Sequence, residues 1–159
     1  MPETVYIETS VPSAHVSRRG DPSSLHRKAE TQKWWSSQLP LYNCYVSENV
    51  FIELREGDWP GQQEALELIA ALKILPASQE VRAVAGRYIT EKLVPDDMVG
   101  DASHLAYACV YEVDFLLTWN IRHLANPNKQ QHLVVINRRL GLMTPQIVTP
   151  EMLWKEAGS

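Results

Sequence analysis

Short apolar runs alternate along this chain with longer segments of helical period. Val5–Ile7, Asn43–Val46, Asp114–Thr118 and Gln146–Val148 have the β-branched and aromatic density of buried strands, and Ile74-Leu75 is a shorter candidate. Between them the apolar spacing becomes helical. A helix is predicted from Ser23 or Ser24 to near Pro40, after a polar loop over 16–27. A second follows Ser47 as N-cap, carries Glu48 in its first turn and Glu53 further on, and stops around Gly57–Pro60. Ala65, Leu66, Leu68, Ile69 and Leu72 make an amphipathic stripe. Val81, Val84, Ala85 and Tyr88 make another, capped by Ser78 and closed by Pro95. Gly100 precedes a helix with Ala102, Leu105, Ala106, Cys109 and Val110 inward. A turn or short helix spans Asn120–Asn126, a helix spans Gln130–Leu140, and Thr149 with Pro150 and Glu151 starts a last helix. The alternation predicts an α/β domain with a mainly parallel sheet.

Composition narrows this picture. At 159 residues and 18.1 kDa the chain is expected to form a single domain spanning 1–159. A formal net charge of -4 and a pI near 5.7 exclude a basic protein that coats nucleic acid, but not an enzyme that touches a short piece of it. Cys44 and Cys109 stand alone in apolar surroundings and read as reduced core thiols, not zinc ligands. No apolar run reaches the roughly 18 residues of a membrane span, and no signal peptide is visible, so a cytoplasmic location is expected.

In open α/β sheets ligands bind beyond the carboxyl ends of the strands. Glu8 follows the first strand directly, Asn120 follows the DFLLT strand, Glu53 lies about two turns after the second strand, and Asp101 opens the helix that leads into DFLLT. Spacing alone does not bring these four together; adjacent parallel strands do. Carboxylates gathered in a partly buried site repel, and a hard divalent cation removes that cost. Mg²⁺ and Mn²⁺ take oxygen ligands, orient a phosphodiester and acidify a bound water. Each residue also has a bland reading: Glu8 paired with an arginine, Glu53 solvated, Asp101 a helix N-terminal residue, Asn120 a turn residue. His104, one turn after Asp101, and His123, near Asn120, are further candidates. Asp96-Asp97 reads as a solvated loop pair.

Five segments in order carry a resemblance: Tyr6-Ile7-Glu8-Thr9-Ser10; Tyr45-Val46-Ser47-Glu48 leading to Glu53; Asp101-Ala102-Ser103-His104-Leu105-Ala106; Leu116-Leu117-Thr118-Trp119-Asn120; and Ile147-Val148-Thr149-Pro150-Glu151. Over nearly the whole chain this order resembles the PIN-domain family, whose bacterial members include VapC-like toxins of type II toxin–antitoxin pairs. The resemblance implies a three-layer α/β/α sandwich and a Mg²⁺- or Mn²⁺-dependent endoribonuclease that leaves 5′-phosphate and 3′-hydroxyl ends. It places the metal on Glu8, Glu53 and Asp101, with Asn120 as a fourth catalytic position. Thr9, Ser10, Thr118, His104 and His123 become candidates for orienting water, phosphate or substrate. Two departures bear on chemistry: the family usually has Asp where Glu8 stands, and a fourth Asp where Asn120 stands. A single tightly held metal is therefore the expectation.

RNA, an antitoxin protein and a second copy of the chain are the implied partners, with no membrane. Arg18, Arg19, Arg27 and Lys28 read either as a solvated segment or as a flexible arm for the RNA backbone. Trp34 and Trp35 lie about 100° apart on a helix and cannot both point straight into a core; packing at the core edge is preferred to a partner surface. The alternative function is a catalytically weak or inactive PIN-fold module that binds RNA or protein, which Asn120 favours and the three ordered carboxylates oppose. A nuclease acting on DNA flaps ranks lower, because no DNA-clamping element is visible.

Overall fold

The computed structural model describes residues 2–156. Five strands, β1 (Thr4–Ile7), β2 (Asn43–Ser47), β3 (Lys73–Leu75), β4 (Phe115–Leu117) and β5 (Gln146–Val148), form one all-parallel sheet in the order β3-β2-β1-β4-β5. Helices α1 (Ser10–His15), α2 (Pro22–Ser37), α3 (Glu48–Arg55), α4 (Gln62–Ala70), α5 (Gln79–Thr90), α6 (Val99–Val110) and α7 (Pro127–Leu140) complete a three-layer α/β/α sandwich. Val5, Tyr6 and Ile7 have no exposed surface, as a central parallel strand covered on both faces requires. Leu116 and Leu117 beside them, and Val46 on the other flank, extend the same core.

The chain moves from β1 to β2 on one side and later returns to place β4 on the other. The order of the strands therefore reverses between β1 and β4, which opens a crevice at their carboxyl ends. In register, Ile7 lies beside Leu117, so Glu8 and Thr118 emerge together, and Glu8 N donates to Leu117 O at 3.0 Å.

Several local expectations change. A helix not anticipated from sequence, α1, precedes the polar loop; it accommodates Pro12 in its first turn, where the missing N–H has no partner to lose, and buries Val11 and Pro12. Helix α2 starts at Pro22, with Asp21 accepting from Ser24 N at 3.1 Å, so the loop expected over 16–27 is cut back to 16–21. Ser47 occupies the N-cap position of α3 without a capping bond, because its hydroxyl is spent on Tyr6. Ser78 does cap α5, accepting from Val81 N. Helix α6 begins at Val99, so Gly100 is inside it. Val110 is only half-buried, while His104, Tyr107 and Ala108 join the core. Helix α7 starts three residues early at Pro127, with Asn126 as cap, and 120–126 is a turn.

The helix expected from Thr149 is a single turn. Leu153 O accepts Trp34 Nε1 at 2.8 Å, and Gln38 bonds both backbone groups of Lys155, so α2 holds this segment in a path that a helix would break. Trp34 is fully buried, stacked near Tyr42, and Trp35 lies half-buried at its side against His15. The core reading of this pair accounts for both. Cys44 and Cys109 are buried free thiols, and burial pushes the Cys44 thiol up to about 12.

This packing predicts unequal effects. Trp34→Ala leaves a large cavity and orphans Leu153 O, which should cost about 3–5 kcal/mol in urea denaturation. Trp35→Gln should cost about 1 kcal/mol or less. Similar losses in both would show that Trp35 is as much a core residue as Trp34.

Candidate metal centre

Glu8 is 6% exposed at the end of the central strand. A carboxylate there needs hydrogen bonds, and two hydroxyls from different segments supply them. Ser10 Oγ and Thr118 Oγ1 both donate to Glu8 Oε1, the latter at 2.6 Å. Each hydroxyl also accepts a backbone N–H: Trp119 N to Ser10 at 2.8 Å and Asn120 N to Thr118 at 2.9 Å. The β4–α7 turn is thus fastened to the end of β1.

Glu53 approaches from α3. His104 Nε2 lies 2.5 Å from Glu53 Oε1, and Thr9 Oγ1 donates to the same oxygen. His104 is fully buried on α6, and its Nδ1 lies 2.7 Å from the Tyr6 hydroxyl, which in turn lies 2.6 Å from Ser47 Oγ. A protonated ring is one assignment that satisfies this chain: both nitrogens donate, one to the Tyr6 oxygen and one to Glu53, and the Tyr6 hydroxyl donates to Ser47 Oγ. Burial opposes the charged ring, but the bond to Glu53 and the charges of Glu8, Glu53 and Asp101 outweigh it and raise the His104 pKa. Burial likewise opposes ionised Glu53, and the His104 bond and charge with the Thr9 bond outweigh it, so its pKa is lowered. Glu53 Oε2 rests on the backbone at Gly100, where a Cβ would stand 2.6 Å from it. That explains a glycine inside the first turn of α6, where it otherwise weakens the helix.

Asp101 has no such internal cation. Its carboxyl pKa is raised, first by burial and then by the charge of Glu8, against the smaller favourable effects of His104 and His123. Asn120 Nδ2 lies 3.4 Å from both Asp101 oxygens, and Asn120 Oδ1 accepts His123 N at 3.2 Å. The backbone donor fixes which end of the amide is oxygen. The Asn120 carbonyl, expected from sequence to face a metal or water, is therefore turned to His123, and its amino end faces Asp101.

The ligand atoms that fall within 4.8 Å of one another are those of Glu8, Glu53 and His104; Asp101 is not in that set. His104 nonetheless has both ring nitrogens engaged and no exposed surface, so it positions Glu53 from behind and does not reach substrate. The oxygen donors of Glu8 and Glu53, with Asp101 destabilised in its charged form beside them, suit a hard divalent ion. Ser10, Thr9 and Thr118 spend their protons on these carboxylates, so they orient ligands more directly than they touch substrate. Tyr6, Ser47 and Gly100 have no sequence signal of their own. Tyr6 reads as a core strand residue, and its hydroxyl role appears only once α6 is packed over β1.

The chain matches no protein-family model and no curated protein sequence. Its fold is that of VapC-like PIN domains. A toxin–antitoxin complex from Klebsiella pneumoniae superposes with a TM-score of 0.57 at 17% identity, over 79% of this chain and 93% of that one. A Mycobacterium tuberculosis VapC toxin described as cleaving the sarcin–ricin loop gives 0.56 at 16% identity, over 75% and 92%. A VapBC complex of Rickettsia felis, bound to a DNA fragment from its promoter, gives 0.54 at 12% identity, over 96% and 99%.

The buried pair makes a pH prediction. Glu53, with its pKa lowered, contributes stability that is present above its ordinary value of 4.5 and lost as pH falls through the folded value. His104, with its pKa raised, contributes stability that is full below 6.5 and lost as pH rises through the folded value above it. In chelator, the melting-temperature gap between the parent and His104→Gln should be widest at about pH 5–6.5 and shrink on both sides. A gap constant from pH 4 to 9 would mean that the pair is not ionic. Gly100→Ala should displace Glu53 and lower the NMR titration midpoint of His104 without weakening the helix.

Proposed function

We propose that this protein is a divalent-metal-dependent endoribonuclease, in which Glu8, Glu53 and Asp101 hold the metal. The observation that carries the reading is the approach of the Glu8 and Glu53 carboxylates, within 4.8 Å of each other and of His104, at the β1–β4 crevice, with Asp101 nearby, its pKa raised first by burial and then by the charge of Glu8. That arrangement is unfavourable in the empty protein and is relieved by a cation. When bound, Mg²⁺ or Mn²⁺ supplies polarisation of the phosphodiester and a more acidic water. The chain's own groups then have distinct tasks. Ser10 and Thr118 fix the Glu8 carboxylate, Thr9 and His104 fix Glu53, and Asn120 holds Asp101 in place while leaving its charge intact. His123, near enough to Asp101 for its charge to act there, is a further candidate to meet a substrate phosphate. The RNA-cleaving description of one fold neighbour supports RNA as substrate, and the toxin–antitoxin complexes support an antitoxin partner; a homodimer belongs to the same reading.

The second reading, an inactive module that binds RNA or protein, is favoured by Asn120, whose amide takes the place of a fourth charged ligand. Cleavage assays separate the two. Purified protein with Mn²⁺ should cut structured or single-stranded RNA, and chelator should stop it. Equal cutting with and without chelator would remove the metal from the mechanism, and no cutting of any RNA would leave the binding module.

Metal linkage gives a readout that does not need turnover. At a hundredfold excess over Kd, Mn²⁺ should stabilise the parent by about 2.7 kcal/mol, a rise of roughly 5–10 °C for a chain of this size. Asp101→Asn should raise the melting temperature in chelator and shrink that metal-induced rise; an undiminished rise would show that Asp101 is no ligand. Asn120→Asp should do the reverse. Its new carboxylate faces Asp101, so it should lower the melting temperature in chelator and tighten Mn²⁺ binding in calorimetric titration. If neither quantity moves, Asn120 does not face the metal.

A further inference from the structure

Two clefts open beside the acidic centre. One is lined by Thr9, Ser10, Glu53, Trp59, Arg27 and Trp119 among others, and the other by Glu8, Asn120 and Arg122 together with Ser10, Arg27 and Trp119. The three shared residues form the wall between them. Arg27 lies over the Trp119 ring with its guanidinium carbon 5.5 Å from the centroid. Trp119 is 4% exposed and is held at two points: its Nε1 donates to Thr31 Oγ1 at 2.7 Å and its backbone N to Ser10 Oγ at 2.8 Å. Ser10 in turn donates to Glu8. A half-buried cation is thus tied through two rigid links to a carboxylate of the metal centre.

The rest of the basic run is engaged differently. Arg18 is exposed and bonded to Glu64, Arg19 is exposed and paired with Asp21, and Lys28 Nζ donates to Ser17 O. Among the described residues Arg27 has no carboxylate within ion-pair distance. The cation–π contact restrains the guanidinium beside the indole, so less freedom is lost on binding, and its N–H fork suits the bidentate geometry that a phosphate offers. A polyanion approaching the carboxylates also needs a positive charge nearby; Arg122 lines the second cleft, but Arg27 lines both and is the one backed by an indole.

We propose that Arg27, backed by Trp119, is a dedicated subsite for an RNA backbone phosphate adjacent to the one that is cut, on a strand that crosses from one cleft to the other. This rests on the nuclease reading above for its ligand. The sequence reading of residues 18–28 as a flexible arm then gives way to one preorganised contact.

The test uses fluorescein-labelled single-stranded RNA and the full chain. Anisotropy titrations in chelator, at several salt concentrations, compare the parent with Arg27→Gln, Arg27→Lys and the equal-charge control Arg19→Gln. Arg27→Gln should weaken binding about tenfold and reduce the slope of log K against log salt by about 0.7. Arg27→Lys should keep the slope but recover only part of the affinity, and Arg19→Gln should change neither. Equal weakening by Arg27→Gln and Arg19→Gln, or an unchanged slope in Arg27→Gln, overturns the subsite. Cleavage with Mn²⁺ separates the two proposals. Salt-dependent binding lost in Arg27→Gln, with no cutting by the parent, leaves the phosphate subsite standing and removes the nuclease. Cutting by the parent with an unchanged KM in Arg27→Gln does the opposite. A parent that binds no RNA overturns the subsite.

Discussion

A carboxyl group at the end of a central parallel strand has backbone on both sides and little water, so it persists only where hydrogen-bond donors meet it. Glu8 sets this condition for the whole crevice. Its partners, Ser10 and Thr118, come from the segments that follow the two strands flanking the point where strand order reverses, and both use their lone pairs to accept N–H groups from the 119–120 turn. Satisfying one acid therefore fixes the start of α1, the end of β4 and the turn that carries Trp119 and Asn120. The same requirement leads outward to Arg27, because Trp119 can hold a cation in place only if its own backbone is held.

The other acids are handled by different means. Glu53 has a built-in counter-charge, since His104 is buried with one nitrogen on Tyr6 and the other on Glu53. Burying such a pair is not automatically stabilising, but breaking it by removing one partner leaves a charge without compensation. Gly100 is part of this arrangement, because any larger residue would occupy the space of the Glu53 carboxylate. Asp101 receives only an amide, and its charged form is the disfavoured one. The crevice is thus uneven: a histidine backs Glu53 and two hydroxyls hold Glu8, while Asp101 has only an amide beside it.

The sequence was informative where one physical pressure dominated. Continuous apolar runs located the strands, and the position of Glu8 directly after the first of them put a carboxylate at the crevice before any tertiary contact was known. It was misleading where two pressures competed. Thr149-Pro150-Glu151 has good helix-start chemistry, yet bonds from Trp34 and Gln38 to the following backbone hold that chain in another path. No helix was anticipated over Ser10–His15, yet a proline in a first helical turn loses nothing. His104 has helical spacing from Asp101, which suggests a shared face; burial shows that it works from behind, and only the packing of α6 over Tyr6 could reveal that. Asn120 was legible as a departure, but the direction of its amide depends on the backbone of His123.

Fold similarity at 12–17% identity carries the architecture, while chemistry belongs to the site. The charges at this site bear on how many metals it holds. In the proposed site Glu8, Glu53 and Asp101 supply the carboxylates, and His104, hydrogen-bonded to Glu53, offsets part of their charge from behind. The proposed single metal agrees with the same inventory, since an amide stands at Asn120 where a fourth carboxylate would add charge. In the proposed nuclease the Arg27 cation on Trp119 would supply attraction for an incoming RNA strand from outside the metal site.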